Sequence, residues 1–191
     1  MCTLYNLKVS PEELLAHFEA QDDWLVELEK DHVSPGRPGL VVTQADGARY
    51  LTAMRWGFPP PPGVKAPVVN VRNHASPFWR SALANPARRC LVPATDFSEW
   101  SARQEGVKQV LHWFSIPSRP IFAFAGVWRP TETGPAFAFL TCEPNPLVGA
   151  IHPKAMPVVL AEEDHDLWLG GDFDAACALA LAYPSQLMAV A

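Results

Sequence analysis

Positive charge is in short supply: 15 Lys and Arg stand against 20 Asp and Glu, giving a formal net charge of −5. A protein that holds nucleic acid chiefly through phosphates carries a basic excess, so the balance counts against broad, non-specific coating of DNA. A local basic groove is still allowed, because nearby charges, not the total, set the field at a site. Cysteine is also scarce, with four in 191 residues. Cys2, Cys90, Cys142 and Cys177 form no CxxC pair, which removes the usual sign of a disulfide framework or a zinc site. Cys90, Cys142, His152 and His165 lack common ligand spacing as well, and neither metal nor cofactor is expected. There is no secretory h-region and no apolar run of membrane-spanning length. The expectation is a soluble, cytoplasmic protein with reduced thiols and no membrane partner. No internal repeat and no low-complexity tract beyond a proline run is found.

What the chain does have is apolar content, 49% of its residues, at a length typical of one domain. Such a chain buries roughly 70% of the surface its unfolded form exposes, so it needs no staples. The expectation is one domain over residues 1–191. Ser10-Pro11-Glu12-Glu13 predicts a helix start, with a cap, a first-turn proline and two acids at the positive end of the dipole. That helix is expected to reach about Ala20. Strands are expected at 39–42 and 49–55 around an Asp46-Gly47 hairpin turn. Further strands are expected at 90–93, 108–116, 121–127 and 136–141, and a last helix at 173–182. Pro59 to Pro62 reads as a stiff extended loop. It is not read as an interdomain linker, since hydrophobic patterning resumes at once in 66–71. The preponderance of strands predicts an α+β domain, a mixed or barrel-like sheet with a few flanking helices.

Residues 54–89 contain Arg55, Lys65, Arg72, Arg80, Arg88 and Arg89 and no Asp or Glu, the one window suited to a polyanion. Cys2 follows the initiator methionine, which is normally trimmed before a small residue. Trimming would turn Cys2 into a 1,2-aminothiol, with an amine of ordinary pKa ~7.7–8 and a thiol of ~8.5, so both nucleophiles would be in part available near neutrality. An aldehyde gives a Schiff base with the amine and is then closed by the thiol to a five-membered thiazolidine. Alternatively, Cys2 lies in a disordered terminus and does nothing. Glu99, in Phe97-Ser98-Glu99-Trp100, is either an exposed strand residue or a buried carboxyl with a raised pKa. His152 is either a structural turn residue or a catalyst. Asn70 is either a turn former or a buried amide that needs partners.

Set in order, these segments resemble the SOS response-associated peptidase (SRAP) family along nearly the whole chain. The resemblance lies in Met1-Cys2, Arg55-Trp56-Gly57-Phe58-Pro59, Asn70-Val71-Arg72, Arg89-Cys90-Leu91-Val92-Pro93-Ala94, Phe97-Ser98-Glu99-Trp100, Ala125-Gly126-Val127-Trp128, Thr141, and Ile151-His152 with Met156-Pro157-Val158. The chain departs from the pattern at His74, where the family has Glu, at Lys154-Ala155, where it has Arg, and at Thr3-Leu4, where it has Gly-Arg. The resemblance implies a monomer that crosslinks through Cys2 to abasic sites in single-stranded DNA. An abasic sugar is mainly a closed hemiacetal, so Glu99 and His152 become the candidates for the proton transfers that open it. Asn70 would hold the amine or a sugar oxygen. Arg72 and Arg80 would contact phosphates, and Trp56 would stack on a base or sit in the core. The same set could remove the residue ahead of Cys2, as the family name implies. The rival readings are an N-terminal nucleophile amidohydrolase acting on small amides and a binding module in which Cys2 is incidental.

Overall fold

The computed structural model describes residues 2–24, 31–60 and 63–191. In chain order its strands and α-helices are β1 (Tyr5–Asn6), α1 (Pro11–His17), β2 (Ala20–Trp24), β3 (His32–Val33), β4 (Pro38–Ala45), β5 (Ala48–Trp56), β6 (Asn70–Val71), α2 (Pro77–Leu83), β7 (Arg89–Ala94) and β8 (Asp96–Trp100). There follow β9 (Leu111–Ser115), β10 (Phe122–Arg129), β11 (Ala136–Cys142), α3 (Pro146–Gly149), β12 (Met156–Pro157), β13 (Val159–Leu160), α4 (His165–Gly170), α5 (Phe173–Ala178) and β14 (Ala189–Val190). This is the mixed α+β architecture that the sequence predicts.

The larger sheet runs β12-β11-β10-β7-β4-β5-β2 and curls until β11 also pairs with β5. That last pairing is parallel, Ala136 to Arg55 and Phe137 to Trp56, and it closes β5-β4-β7-β10-β11 into a ring. Closure removes the open edges on which a sheet would aggregate. β6 then takes up the line that β5 leaves, pairing parallel to β11 with Asn70 opposite Phe139. The smaller sheet is β14-β9-β8-β1-β3.

Strand alternation sorts the side chains into two cores. Ala123, Ala125 and Val127 of β10 and Ala136, Ala138 and Leu140 of β11 pack with Leu14, Phe18, Trp79, Leu83 and Trp168 of the helices. The intervening Phe122, Phe124, Phe137 and Phe139 face Tyr5, Phe97 and Phe114 of the smaller sheet, and Cys2 joins this second cluster. Gly39 is what lets the sheets meet, since a Cβ there would stand 2.6 Å from the Tyr5 hydroxyl.

The local signals behave as chemistry dictates. Ser10 and Glu13 form a reciprocal capping box at the head of α1, and Asp46 and Gly47 turn the β4–β5 hairpin with φ of 50° and 77°. Both expected helices end early. The first helix ends at His17 instead of 20, because Glu19 takes a left-handed φ of 51° and the chain enters β2, parallel to β5. The last helix stops at Ala178. Around Glu99 the chain is a strand, β8, as one alternative had it, but Glu99 on it is buried and not exposed. Of the proline run, Pro59 and Pro60 lie outside any helix or strand, while residues 61 and 62 lie outside the described residues. Among the described residues no helix is long and apolar enough to cross a membrane.

Candidate active site

The start of the chain is placed by β1, which runs antiparallel to β8 with Tyr5 opposite Phe97 and Asn6 opposite Asp96. The pairing extends outward, because both the backbone N–H and the hydroxyl of Ser98 donate to the Leu4 carbonyl at 3.0 Å. In an antiparallel pair, each step back along one strand is a step forward along the other. Continued outward, that register sets Thr3 opposite Glu99 and Cys2 one step further, near enough for the Glu99 charge to act on its thiol.

Cys2 is fully buried, which rules out a disordered terminus. Its thiol donates to the Leu4 carbonyl at 3.5 Å, and its carbonyl accepts from the Asn70 Nδ2 at 3.0 Å. Asn70 is a buried strand residue and not a turn former. Its Oδ1 is enclosed and has no hydrogen-bond partner among the described residues. Burial, and after it the nearby charge of Glu99, push the Cys2 thiol well above its ordinary value. This corrects the expectation of a thiol partly ionised near neutrality. The nucleophile rests protonated and needs a base beside it.

That base is at hand. Glu99 is 2% exposed, and burial raises its carboxyl to about 7. Its neighbour His152 is set by the end of α3, where the His152 N–H donates to the Val148 carbonyl at 2.7 Å. The ring Nδ1 lies 3.0 Å from the Trp100 carbonyl, and Nε2 lies 3.5 Å from Glu99 Oε2. A carbonyl can only accept, so Nδ1 carries the proton and the lone pair of the neutral ring on Nε2 faces Glu99. Burial also lowers the His152 pKa, and the charge of Lys154 contributes in the same direction. Raised acid and lowered base together favour a neutral carboxyl facing a neutral imidazole. That is a pair poised to pass a proton in either direction.

The structure therefore brings Cys2, Asn70, Glu99 and His152 together from four places in the sequence. Arg72 stands near the end of β11, where its Nη1 donates to the Cys142 carbonyl at 2.8 Å and its Nη2 pairs with Glu143. Arg80 is not brought in. It is exposed on α2, 5.0 Å over the Phe173 ring, among helices that pack on the other core. The proposed contact of Trp56 with a base is corrected, since its ring is wholly buried against Tyr5, Phe137 and Phe139 and its Nε1 donates to the Val69 carbonyl at 3.0 Å. Of the acid-free window, Arg89 is structural, buried beneath the α4–α5 junction with its guanidinium on the Gly171 and Asp172 carbonyls.

Two further groups were not singled out as site residues. Trp100 follows Glu99, is 48% exposed, and holds the His152 ring through its carbonyl. Thr141 is buried, and its hydroxyl has no partner among the described residues. Alternation along β11 puts it on the Phe137 and Phe139 face, the face that holds Cys2. Its sequence signals were its place in the family pattern and its standing as a lone threonine at the end of the apolar run Ala136-Phe137-Ala138-Phe139-Leu140. Among the described residues no group of three or more His, Cys, Asp or Glu could hold a metal ion.

The same residues that meet here are those spaced along a known family pattern. The family model described as SOS response associated peptidase (SRAP) matches residues 1–190. The chain belongs to this family. SRAP relatives include the abasic site processing protein YoqW of Bacillus subtilis, 28% identical over 184 residues, covering 88% of this chain and 80% of that protein. The abasic site processing protein YobE of the same organism is 27% identical, covering 88% and 82%. The SRAP chain also superposes on a crystal structure of a Bacteroides thetaiotaomicron protein with a TM-score of 0.83 at 22% identity, over 99% of this chain and 90% of the other. At that identity the likeness shows the fold alone.

Proposed function

We propose that this SRAP protein captures abasic sites in single-stranded DNA by forming a thiazolidine at Cys2. The observation that carries the reading is the burial of Cys2 with its carbonyl on Asn70, beside a Glu99–His152 pair whose carboxyl titrates near neutrality. The names of the YoqW and YobE relatives support the choice of substrate.

The reaction starts when loss of Met1, by a processing enzyme or by these same residues, frees the α-amine of Cys2. Protonated Glu99 gives its proton to the ring oxygen of the closed sugar while a base takes the anomeric hydroxyl proton, and the ring opens to an aldehyde. The amine adds to the aldehyde carbon and water departs, leaving a C=N bond. The thiol then adds to that carbon, its proton passing by way of the Glu99–His152 pair to the imine nitrogen. Aldehyde, amine and thiol become one thiazolidine and one water. The raised thiol pKa suits this order, because a neutral thiol leaves the amine to attack first. Asn70 Oδ1, an enclosed acceptor, suits a hydrogen bond from that amine.

Arg72, with part of its guanidinium exposed, is the nearest candidate for a flanking phosphate, and Trp100 takes the stacking role first expected of Trp56. The test is a denaturing gel of protein with Met1 removed, mixed with a single-stranded oligonucleotide carrying one abasic site. A shifted band that needs both the abasic site and Cys2 is the expected result. Its absence, or its survival in Cys2→Ala, overturns the reading, and release of ammonia from small amides would favour the amidohydrolase instead.

A further inference from the structure

Away from Cys2 the surface holds a cleft of about 630 Å³ whose lining includes Arg55, Phe58, Pro59, Pro67, Arg129 and Glu132. Arg129 ends β10 and sits in the angle between two rings, its Cζ 4.3 Å from Phe58 and 4.5 Å from Phe78. The rings fix the guanidinium without using its N–H donors. No side-chain hydrogen bond or ion pair of Arg129 or Arg55 occurs among the described residues. Burial has already lowered the Arg129 pKa, so its charge is partly stripped of water and still unmatched. Two arginines with spare donors line one proline-walled cleft, Arg129 held by its rings and Arg55 exposed, and together form a receptor for an oxyanion. Among the described residues of the lining the one acid is Glu132, exposed on the turn after β10 and paired with neither arginine.

The position connects this cleft with the active site. Ala136 in its lining starts β11, and Phe139, three residues on, is the register partner of Asn70. At about 3.3 Å per residue the two places are roughly 10 Å apart along one rigid strand. The geometry points to this cleft as a phosphodiester subsite for the single strand beside its captured residue, with Arg129 and Arg55 as the anion-binding side chains and Glu132 as a restraint on affinity. The inference rests on the strand-binding reading above.

The test is fluorescence anisotropy with an intact, undamaged single-stranded oligonucleotide over a range of salt, which reports binding without crosslinking. Arg129→Gln and Arg55→Gln are expected to weaken binding about five- to tenfold, and each to flatten the log K against log salt slope by about 0.7, the value for one phosphate on a single strand. Glu132→Gln is expected to tighten binding about twofold, a gain that damage to the fold does not produce. With abasic oligonucleotide at saturation all three should crosslink at the rate of the unaltered protein. Unchanged affinity and slope in both arginine variants overturn the inference, even if crosslinking proceeds. Undiminished strand binding without any crosslink would instead overturn the chemistry at Cys2 and leave the cleft standing. Should Arg129→Gln fail to fold, Arg55→Gln and Glu132→Gln decide, because neither side chain supports the structure.

Discussion

His152 Nε2 stands 3.5 Å from Glu99 Oε2, while the opposite ring nitrogen is fixed on the Trp100 carbonyl at 3.0 Å. Trp100 adjoins Glu99 in the chain, so one strand supplies the acid and also the acceptor that orients the base towards it. The pair behaves as one proton-holding unit, and most of its consequences can be measured.

Replacing the acid removes the proton that opens the sugar ring. Glu99→Gln should slow crosslinking by about 10²–10⁴-fold, the usual worth of positioned acid–base catalysis. In the unaltered protein the rate of the acid-dependent step should fall as pH rises through about 7, where Glu99 loses its proton. A single-turnover rate profile from pH 5 to 9 with abasic oligonucleotide checks both, and a full rate in Glu99→Gln would remove the residue from the mechanism.

The same substitution should affect stability in the opposite sense. Glu99 is raised to about 7 in the folded protein from an ordinary 4.5, so the folded state binds the extra proton between those values. Its contribution is therefore complete below pH 4.5 and lost as pH rises through 7. Glu99→Gln should be more stable than the unaltered protein at pH 8, by on the order of 1–3 kcal/mol, with little difference at pH 4.5. Urea midpoints at the two pH values give the answer, and a variant destabilised at pH 8 would contradict the burial argument.

His165 provides the opposite slope. It is 4% exposed on α4, its Nε2 has no partner among the described residues, and burial depresses its pKa to about 4. The unfolded chain binds the proton first, so stability is held above pH 6.5 and lost as pH falls towards 4, by on the order of 3 kcal/mol. His165→Gln should flatten the curve in that window, as followed by thermal melting from pH 7 to 4.

Two tryptophans should separate structure from recognition. Trp56→Ala empties the centre of an aromatic cluster and should cost about 3–5 kcal/mol of stability. Trp100→Ala should change stability by only about 0.5 kcal/mol and weaken single-strand binding by about 1–3 kcal/mol, the value of one stacked base. The reverse pattern would restore the expectation drawn from sequence.

Asn70→Ala should reduce crosslink yield by about fivefold, the loss of one hydrogen bond of about 1 kcal/mol to the Cys2 main chain. Asn70→Asp, which keeps the shape and loses the donor, should fall between the two. Mass spectrometry of the covalent product gives the yields.

Much of this protein is written locally. The capping box at Ser10 and Glu13, the Asp46-Gly47 hairpin and the alternation of Phe and Ala in β10 and β11 each follow from a few adjacent residues. Their physics acts over a turn or a strand, and the sequence alone therefore determined them, together with the α+β class and the order of the family motifs. Where helix and strand ends fell was settled elsewhere, as at Glu19, where docking of β2 along β5 ended a helix that propensity would have continued. The sequence could name Cys2, Asn70, Glu99 and His152 but left each with an ordinary alternative, since burial and proximity are not local properties. Only the tertiary structure decided that Trp56 is core and Trp100 is exposed, that Arg80 faces the helices, and that Cys2 is buried within the influence of Glu99. Those outcomes depend on ring closure through β5 and β11 and on β1 pairing with β8, contacts between residues scores of positions apart, whose burial then sets the charge state of every group in the site.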